Sequence, residues 1–541
     1  MRPLRLLLPC SLFLLLYTCG PAPENTTDAT GPLIDSATID RHLAELASDR
    51  YGGRLPFSEG ETLTLDYLEK ELKALGLQPG NGDSYRQPVP MVEITGFPDE
   101  KVAIKTGRKT LDWTQGEDIV TYSERAQENV ALENSELVFA GFGITAPEYD
   151  WDDYAGLDVR GKTVVVMVND PGYYTEDSTM FKGREMTYYG RWTYKFEEAA
   201  RQGAAGCLII HETGAAGYPW FVVQSSWSGT RLTLEDDGTP KVDVAGWITL
   251  DAAKELFAAR PDVTGWFGLA AKKDFEAIPL RSRITTSVRN ELKFNTSANV
   301  IATLPGADRP EEYVVYTAHW DHIGVGPAVK GDSIYNGALD NASGTAQLLA
   351  IAEAYAALSE PPARSVVFLF VTAEEQGLWG SDYYVRNPIY PLDKTVANIN
   401  IDGINPIGPA KDLTITGLGH SEMDDLAETI AKEQDRYVQS DPEPEKGYFY
   451  RSDHFNFAKA GVPALYAAGG YEHATLGKAY AKEQLDGFVA ERYHQPSDEY
   501  TAGAWPLGGA VQDGELLFQV GRRLADSETW PQWRKTSEFS R

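Results

Sequence analysis

Ser365-Val366-Val367-Phe368-Leu369-Phe370-Val371-Thr372-Ala373-Glu374-Glu375 decides the fold. From Val366 to Val371 the run is apolar without a break, so a strand there hides both of its faces. Strands of that kind belong to largely parallel sheets covered by helices on both sides. Two carboxylates follow just past its end, and in an open α/β sheet functional groups gather beyond the carboxyl ends of the strands. Working outward, Tyr313–Thr317 and Thr395–Ile401 read as further apolar strands, and Leu413–Ile415 and Val462–Tyr466 as shorter ones. Gly344–Leu358 is an Ala/Leu-rich helix; 421–436, capped by Ser421 with Asp424 three positions on, and 516–524 are two more. Nearer the N-terminus, helices are expected over 38–50 and 59–75, the second stopped by Gly76, with short strands and loops over 85–130. The alternation predicts an α/β domain with a mixed, mostly parallel sheet flanked by helices.

The chain has 541 residues, 42% hydrophobic and 24% charged, a globular composition too long for one simple core. Asp and Glu total 79 against 49 Lys and Arg, a net charge of −30. Such a surface repels phosphate backbones and sets nucleic-acid binding aside. Three cysteines, Cys10, Cys19 and Cys207, exclude a disulfide scaffold and a cysteine-rich metal module. Arg2 and Arg5 followed by the apolar run Leu6–Tyr17 read as a secretory signal, too short to span a membrane comfortably. Leu16-Tyr17-Thr18-Cys19 resembles the bacterial lipoprotein cleavage box, which would place a lipid on Cys19 and leave residues 20–32 as a tether. The expected location is the periplasm or outer membrane, otherwise secreted, with membrane contact only through that lipid. Cys207, inside the apolar run Gly206–Ile210, is expected to pack in a core.

Residues that can bind metal stand at the strand ends. His319 ends the Tyr313 strand, Asp340 precedes the Gly344 helix, and Glu374 and Glu375 follow the quoted strand. Asp402 follows Ile401, and His494 sits in Tyr493-His494-Gln495-Pro496-Ser497-Asp498. Carboxylate and imidazole ligands suit zinc and related divalent ions. A carboxylate with two oxygens can bridge two ions about 3.5–4 Å apart, a spacing that lets them activate water and polarise a carbonyl together. The adjacent Glu374 and Glu375 can divide metal binding from proton transfer, and Asp321 can orient the His319 imidazole.

In order along residues 310–500, Thr317-Ala318-His319-Trp320-Asp321-His322, Leu339-Asp340-Asn341-Ala342-Ser343-Gly344, Ala373-Glu374-Glu375-Gln376-Gly377-Leu378, Asn400-Ile401-Asp402, Arg451-Ser452-Asp453-His454 and the His494 segment resemble the co-catalytic di-zinc aminopeptidase family. Relatives of that family include glutamate carboxypeptidase II and the transferrin receptor. The Gly53-Arg54 turn is similar to the family's N-terminal segment. Residues 131–290, from Leu137-Val138-Phe139-Ala140-Gly141-Phe142-Gly143 through Gly161–Val166 to the helix-like 195–202 and Gly203–Ile210, resemble an inserted protease-associated domain. Residues 33–130 and 291–541 would then form the zinc peptidase domain. The resemblance implies two zinc ions, one on His319, Asp340 and Asp402, the other on Asp340, Glu375 and His494. It further implies Glu374 as general base, Asp321 steering His319, and Arg451 and Tyr493 on the substrate carbonyl and its oxyanion.

The implied activity is an exopeptidase releasing the N-terminal residue of peptides. A carboxypeptidase or dipeptidase on the same fold, a glutaminyl cyclase-like transferase and a non-catalytic receptor are the rivals. His322 and His454 are expected to be hydrogen-bonded near the site, and His42, His211, His420 and His473 to be structural or exposed. Tyr188–Tyr194 with Trp220 and Trp227 either wall the substrate pocket or pack locally, and the same choice holds for Tyr448 and Tyr450.

Overall fold

The computed structural model describes residues 34–227, 229–235 and 238–540. The signal, the lipoprotein box, Cys19 and the tether lie outside the described residues. No described helix is long and apolar enough to cross a membrane.

The quoted run forms the strand Arg364–Val371, buried along its whole length. Its neighbours follow the order Ile278–Leu304, Arg364–Val371, Arg309–His319, Thr395–Asn400, Ala464–Ala468, Asp412–Ile415 and Tyr437–Ser440. Arg364–Val371, Arg309–His319, Thr395–Asn400 and Ala464–Ala468 run parallel. The sheet turns antiparallel where Val300–Leu304 meets Phe370–Val366 and where Thr414–Ile415 meets Ala468–Ala467.

Alternate residues of the quoted strand serve opposite faces. Phe368 and Phe370 join Tyr316, Leu348, Ile351, Leu516 and Leu517 under the helices Ser36–Leu46, Glu59–Ala74, Ser343–Ala356 and Gly508–Asp526. Val367, Leu369 and Val371 join Val315, Tyr384 and Phe457 on the other face. Each such side chain contributes about 1.5–3 kcal/mol of burial, so one strand anchors both layers. Gly521 lets the last of those helices approach: a Cβ there would stand 1.8 Å from Tyr316 Oη, whose hydroxyl donates to Leu517 O at 2.8 Å.

A second pair of apolar clusters, drawing on Val102 through Ile284, surrounds parallel strands at Asn129–Phe139, Thr163–Met167, Gly206–His211 and Val244–Thr249. The 27-residue strand Ile278–Leu304 belongs to both halves. Its first part pairs with Asn129–Phe139, its middle with Arg86–Pro98, and its end with Arg364–Val371. Cys207 is fully buried in this second core, its thiol 3.7 Å from Lys195 O.

Several element ends differ from the sequence reading. The helix expected over 38–50 spans Ser36–Leu46, N-capped by Asp35. It stops because Ser48 Oγ turns back to Glu45 O and the chain enters the 3-10 turn Asp49–Arg54, inside which Gly52 and Gly53 are both at positive φ. The helix expected over 421–436 spans Met423–Glu433 with Glu422 at the capping position, while Ser421 Oγ accepts from Met423 N at 3.2 Å, and it breaks before the short strand Tyr437–Ser440. Arg309–His319 and Gly508–Asp526 extend well past their apolar cores.

Candidate metal centre

The connections place a switch point at His319. From Arg309–His319 the chain passes through Ser343–Ala356 to Arg364–Val371 on one side, then crosses to Thr395–Asn400 on the other. A crevice opens beyond the strand ends at such a point, and the strand-end residues meet there. His319 Nε2 lies 3.3 Å from Asp340 Oδ1, 3.3 Å from Asp402 Oδ1 and 3.8 Å from Glu374 Oε2. On the far side of the same carboxylate, Asp340 Oδ2 is 3.2 Å from His494 Nε2, which is 3.1 Å from Glu375 Oε2. Two groups of possible ligands result: His319, Glu374 and Asp402 in one, and His322, Asp340 and Glu375 in the other.

The turns explain this convergence. Asn341 Oδ1 accepts from Gly344 N at 2.9 Å and Gly403 N at 2.8 Å, while its Nδ2 donates to Ile401 O at 3.0 Å. One side chain thus ties the Asp340 turn to the Asp402 turn. Asp498, buried, accepts from Leu339 N at 3.0 Å and Asp340 N at 3.2 Å. Asp321 accepts from Glu374 N at 3.0 Å and Glu375 N at 3.4 Å. Its carboxylate is 3.7 Å from His319 Nδ1, and its backbone oxygen is closer at 3.2 Å, so it braces the glutamate turn as well as facing the imidazole. Arg54 is buried and donates to the carbonyls of Trp320, Leu46, Asn336 and Gly337 at 2.8, 2.9, 2.6 and 2.9 Å. Its planar fork satisfies the loops flanking His319 and Asp340 together.

Charge is unbalanced here. Among the described residues, no Lys or Arg forms an ion pair with Asp321, Asp340, Glu374, Glu375 or Asp402. Burial works against protonation of His494, yet Glu375 and Asp340 raise its pKa to about 10. Burial, with Asp402 and Glu375 close by, holds the Glu374 carboxyl well above the usual range. Such a concentration of buried carboxylates is compensated naturally by cations.

The remaining expected residues fall into two sets. Tyr493 stacks on His494, ring centroids 3.9 Å apart. Arg451 is exposed, with its guanidinium 5.3 Å from the Tyr448 ring. His322 Nδ1 meets Glu375 Oε1, and His454 is buried against Phe449. Trp220 and Trp227 pack inside the second core, Trp227 against Tyr122 and Trp192, rather than at the crevice. Tyr188 does face the other half, over Tyr450 and Phe455. Arg54, Asn341 and Asp498 carry structural work that sequence reading left unassigned. Their partners are backbone groups, which leave no trace in residue type.

Comparison with known proteins bears on the same span. Residues 299–518 match the profile of Peptidase family M28. Over 131 residues the chain is 37% identical to mouse aminopeptidase NAALADL1, covering 23% of this chain and 16% of that protein. Over 210 residues it is 30% identical to leupeptin-inactivating enzyme 1 of Streptomyces exfoliatus, covering 38% of this chain and 44% of that protein. The chain therefore spans only a minor part of the length of these relatives. Among solved structures, an aminopeptidase from Aneurinibacillus sp. strain AM-1 is similar at 20% identity and a TM-score of 0.48, over 92% of this chain and 95% of that one. All five converging residues His319, Asp340, Glu375, Asp402 and His494 fall inside residues 299–518, the span over which this chain is similar to Peptidase family M28.

Proposed function

We propose that the protein is a zinc-dependent exopeptidase that releases the N-terminal residue of peptides. It would hold two zinc ions, one on His319, Asp340 and Asp402 and one on Asp340, Glu375 and His494. The observation that carries this reading is Asp340 between two imidazoles, Oδ1 at 3.3 Å from His319 and Oδ2 at 3.2 Å from His494. Zinc bonds of ~2.0–2.2 Å put ligands of one tetrahedral ion about 3.3–3.6 Å apart, close to these separations.

Bound zinc would supply Lewis acidity, polarising the scissile carbonyl and letting water ionise near neutral pH. Glu374 takes the proton from the attacking water and delivers it to the leaving amine as the C–N bond breaks, so the step is proton-neutral. Arg451 and Tyr493 hold the charge that develops on the carbonyl oxygen. Asp321 keeps the Glu374–Glu375 turn and the His319 ring in place. We assign residues 131–290 to a protease-associated module, and the N-terminal segment to export with a lipid on Cys19. Peptides are then the partners, and membrane contact is limited to that lipid.

A carboxypeptidase or dipeptidase is the second reading, favoured by one observation. Arg451 stands near enough to Arg191 to disfavour its charge, and such a pair can grip a terminal carboxylate. A peptide library with free, N-acetylated and C-amidated ends, with metal quantified on the same sample, separates these readings. Cleavage abolished by acetylation, tolerant of amidation and accompanied by two zinc equivalents is expected. Cleavage abolished by amidation instead would establish the second reading, and absence of chelator-sensitive cleavage would leave a receptor.

A further inference from the structure

Past the helix Gly508–Asp526 the described residues form no further strand beyond an isolated bridge between Ser421 and Trp533, yet they fold against the rim of the site. Trp533 Nε1 donates to Gly461 O at 3.0 Å, and Arg534 N donates to His420 O at 2.8 Å. His420 Nδ1 and Ser537 Oγ are 3.0 Å apart. Phe539 packs with Phe449, Phe455 and Met186 in one apolar cluster, with Leu378 and Tyr188 against it. Leu378 ends the turn that begins at Glu374, whose carbonyl accepts from Leu378 N at 2.9 Å.

Glu538 stands in the middle of this cluster. Its Oε1 accepts from Tyr450 Oη at 2.6 Å and from Tyr188 N at 3.2 Å. Its Oε2 is buried without a hydrogen-bond partner among the described residues. Burial raises its carboxyl pKa while the charge of Lys182 opposes the rise. A buried carboxylate is costly unless it satisfies donors that would otherwise be stranded. The two donors here come from opposite halves. Tyr188 leads into Arg191 on the inserted side, and Tyr450 immediately precedes Arg451. The rings of Tyr188 and Tyr450 stack with centroids 6.3 Å apart, and Met186 N donates to Pro444 O at 3.1 Å. Arg451 is near enough to Arg191 to disfavour its charge, and Arg451 also acts on Tyr493.

Resting on the exopeptidase reading, we propose that Glu538 is a positioning residue. It clamps the Tyr188–Arg191 turn to the Tyr448–Arg451 turn and thereby sets where the two arginines stand toward the substrate. The segment that supplies it, residues 532–539, lies outside the matched family span of 299–518. Substrate placement in this protein therefore depends on a part of the chain that the family match does not include.

The test compares Glu538→Ala and Glu538→Gln in the zinc-loaded full chain, each alone and combined with Arg451→Ala. Glu538→Ala is expected to lower kcat/KM about tenfold, at unchanged zinc content, and to add nothing in the Arg451→Ala background, as for groups acting through one contact. Glu538→Gln keeps an oxygen able to accept from both donors and should restore activity to within about threefold of wild type, on the same reasoning. Amide hydrogen exchange supplies a readout independent of turnover. Residues 186–192 and 444–452 should exchange faster in Glu538→Ala and not in Glu538→Gln. An equal loss in both backgrounds, or unchanged exchange in both segments, would overturn the proposal. If the wild-type protein cleaves no peptide at all, the exopeptidase reading fails by itself and the exchange result alone decides the clamp.

Discussion

Arg54 offers the sharpest quantitative test of the metal centre, because it touches no expected ligand and yet holds the loops that carry them. Its guanidinium donates to four buried carbonyls, two of which, Asn336 and Gly337, lead into the Asp340 turn, while Trp320 follows His319 directly. A charge-assisted hydrogen bond is worth about 2 kcal/mol net, so the four amount to about 8 kcal/mol. Burial pulls the Arg54 pKa from 12.5 to about 10 even though Asp321 and Asp498 favour its charge. That shift corresponds to about 3 kcal/mol of unfavourable burial, recovered when the charge is removed. Arg54→Met should therefore lose about 5 kcal/mol of stability on the same scale. Arg54→Lys keeps the charge but not the planar fork, and should lose about half as much. Urea unfolding of zinc-loaded protein measures the loss, and titration with zinc followed by calorimetry measures the ligand set. Both variants should bind zinc more weakly, in the same order as their stabilities. An Arg54→Met protein within about 1 kcal/mol of wild type, binding zinc at wild-type affinity, would refute the reasoning.

Four further outcomes follow from the geometry. Glu374→Gln should cut turnover by about 10²–10⁴ while retaining both zinc equivalents; peptide hydrolysis and metal analysis on one preparation check it, and near wild-type cleavage would remove Glu374 as the base. Asp498→Ala strands the amides of Leu339 and Asp340 and should cost about 2–5 kcal/mol in urea unfolding, with zinc affinity falling alongside. His42, buried with its Nδ1 2.7 Å from Tyr67 Oη, has its pKa lowered by burial to about 4. The unfolded chain binds that proton below about pH 6.5 and the native state does not, so stability should fall by about 3 kcal/mol as pH drops from about 6.5 to about 4; a His42→Gln variant whose acid limb matched wild type would contradict this. Chelation should lower the melting temperature and added zinc should restore it, since an ion that binds only the native state stabilises it by mass action; a melting curve indifferent to chelator would argue that the carboxylates hold no ion.

The quoted strand was legible because its constraint is compositional: six consecutive apolar side chains have one stable environment, the middle of a covered sheet. The strand-end residues were legible for a related reason, since topology rather than sequence distance brings His319, Asp340 and Asp402 to one point. Helix ends were less so. The stop at Leu46 depends on Ser48 bonding back to Glu45, and Ser421 accepts from Met423 N one residue outside the capping position. Least legible were Arg54, Asn341 and Asp498, which act on backbone amides and carbonyls. A buried arginine that pairs with no carboxylate looks, in sequence, like any surface arginine. The helix Gly477–Glu491, which leads to His494, buries only Ala481 and so carries almost no apolar stripe to read.

The strand Ile278–Leu304 bears on the order in which the protein can be made. Arg86 pairs with Val300 and Pro98 with Val288, so apart from the short pairing of Met91–Thr95 with Thr230–Leu234 the strand Arg86–Pro98 waits until roughly 200 residues more have been synthesised for its full-length partner, a delay that raises the loop-closure cost of that pairing. The intervening core, whose own strands lie within Asn129–Thr249, can condense on the ribosome meanwhile. The N-terminal helices must wait longer, apolar faces uncovered, because Glu59–Ala74 packs on Ile278–Leu304 and Ser36–Leu46 on the still later helix Ser343–Ala356. Ribosome-stalled chains ending before and after residue 304 should accordingly differ in the protease resistance of residues 59–98, the window in which such a protein is most exposed to aggregation and most dependent on chaperones.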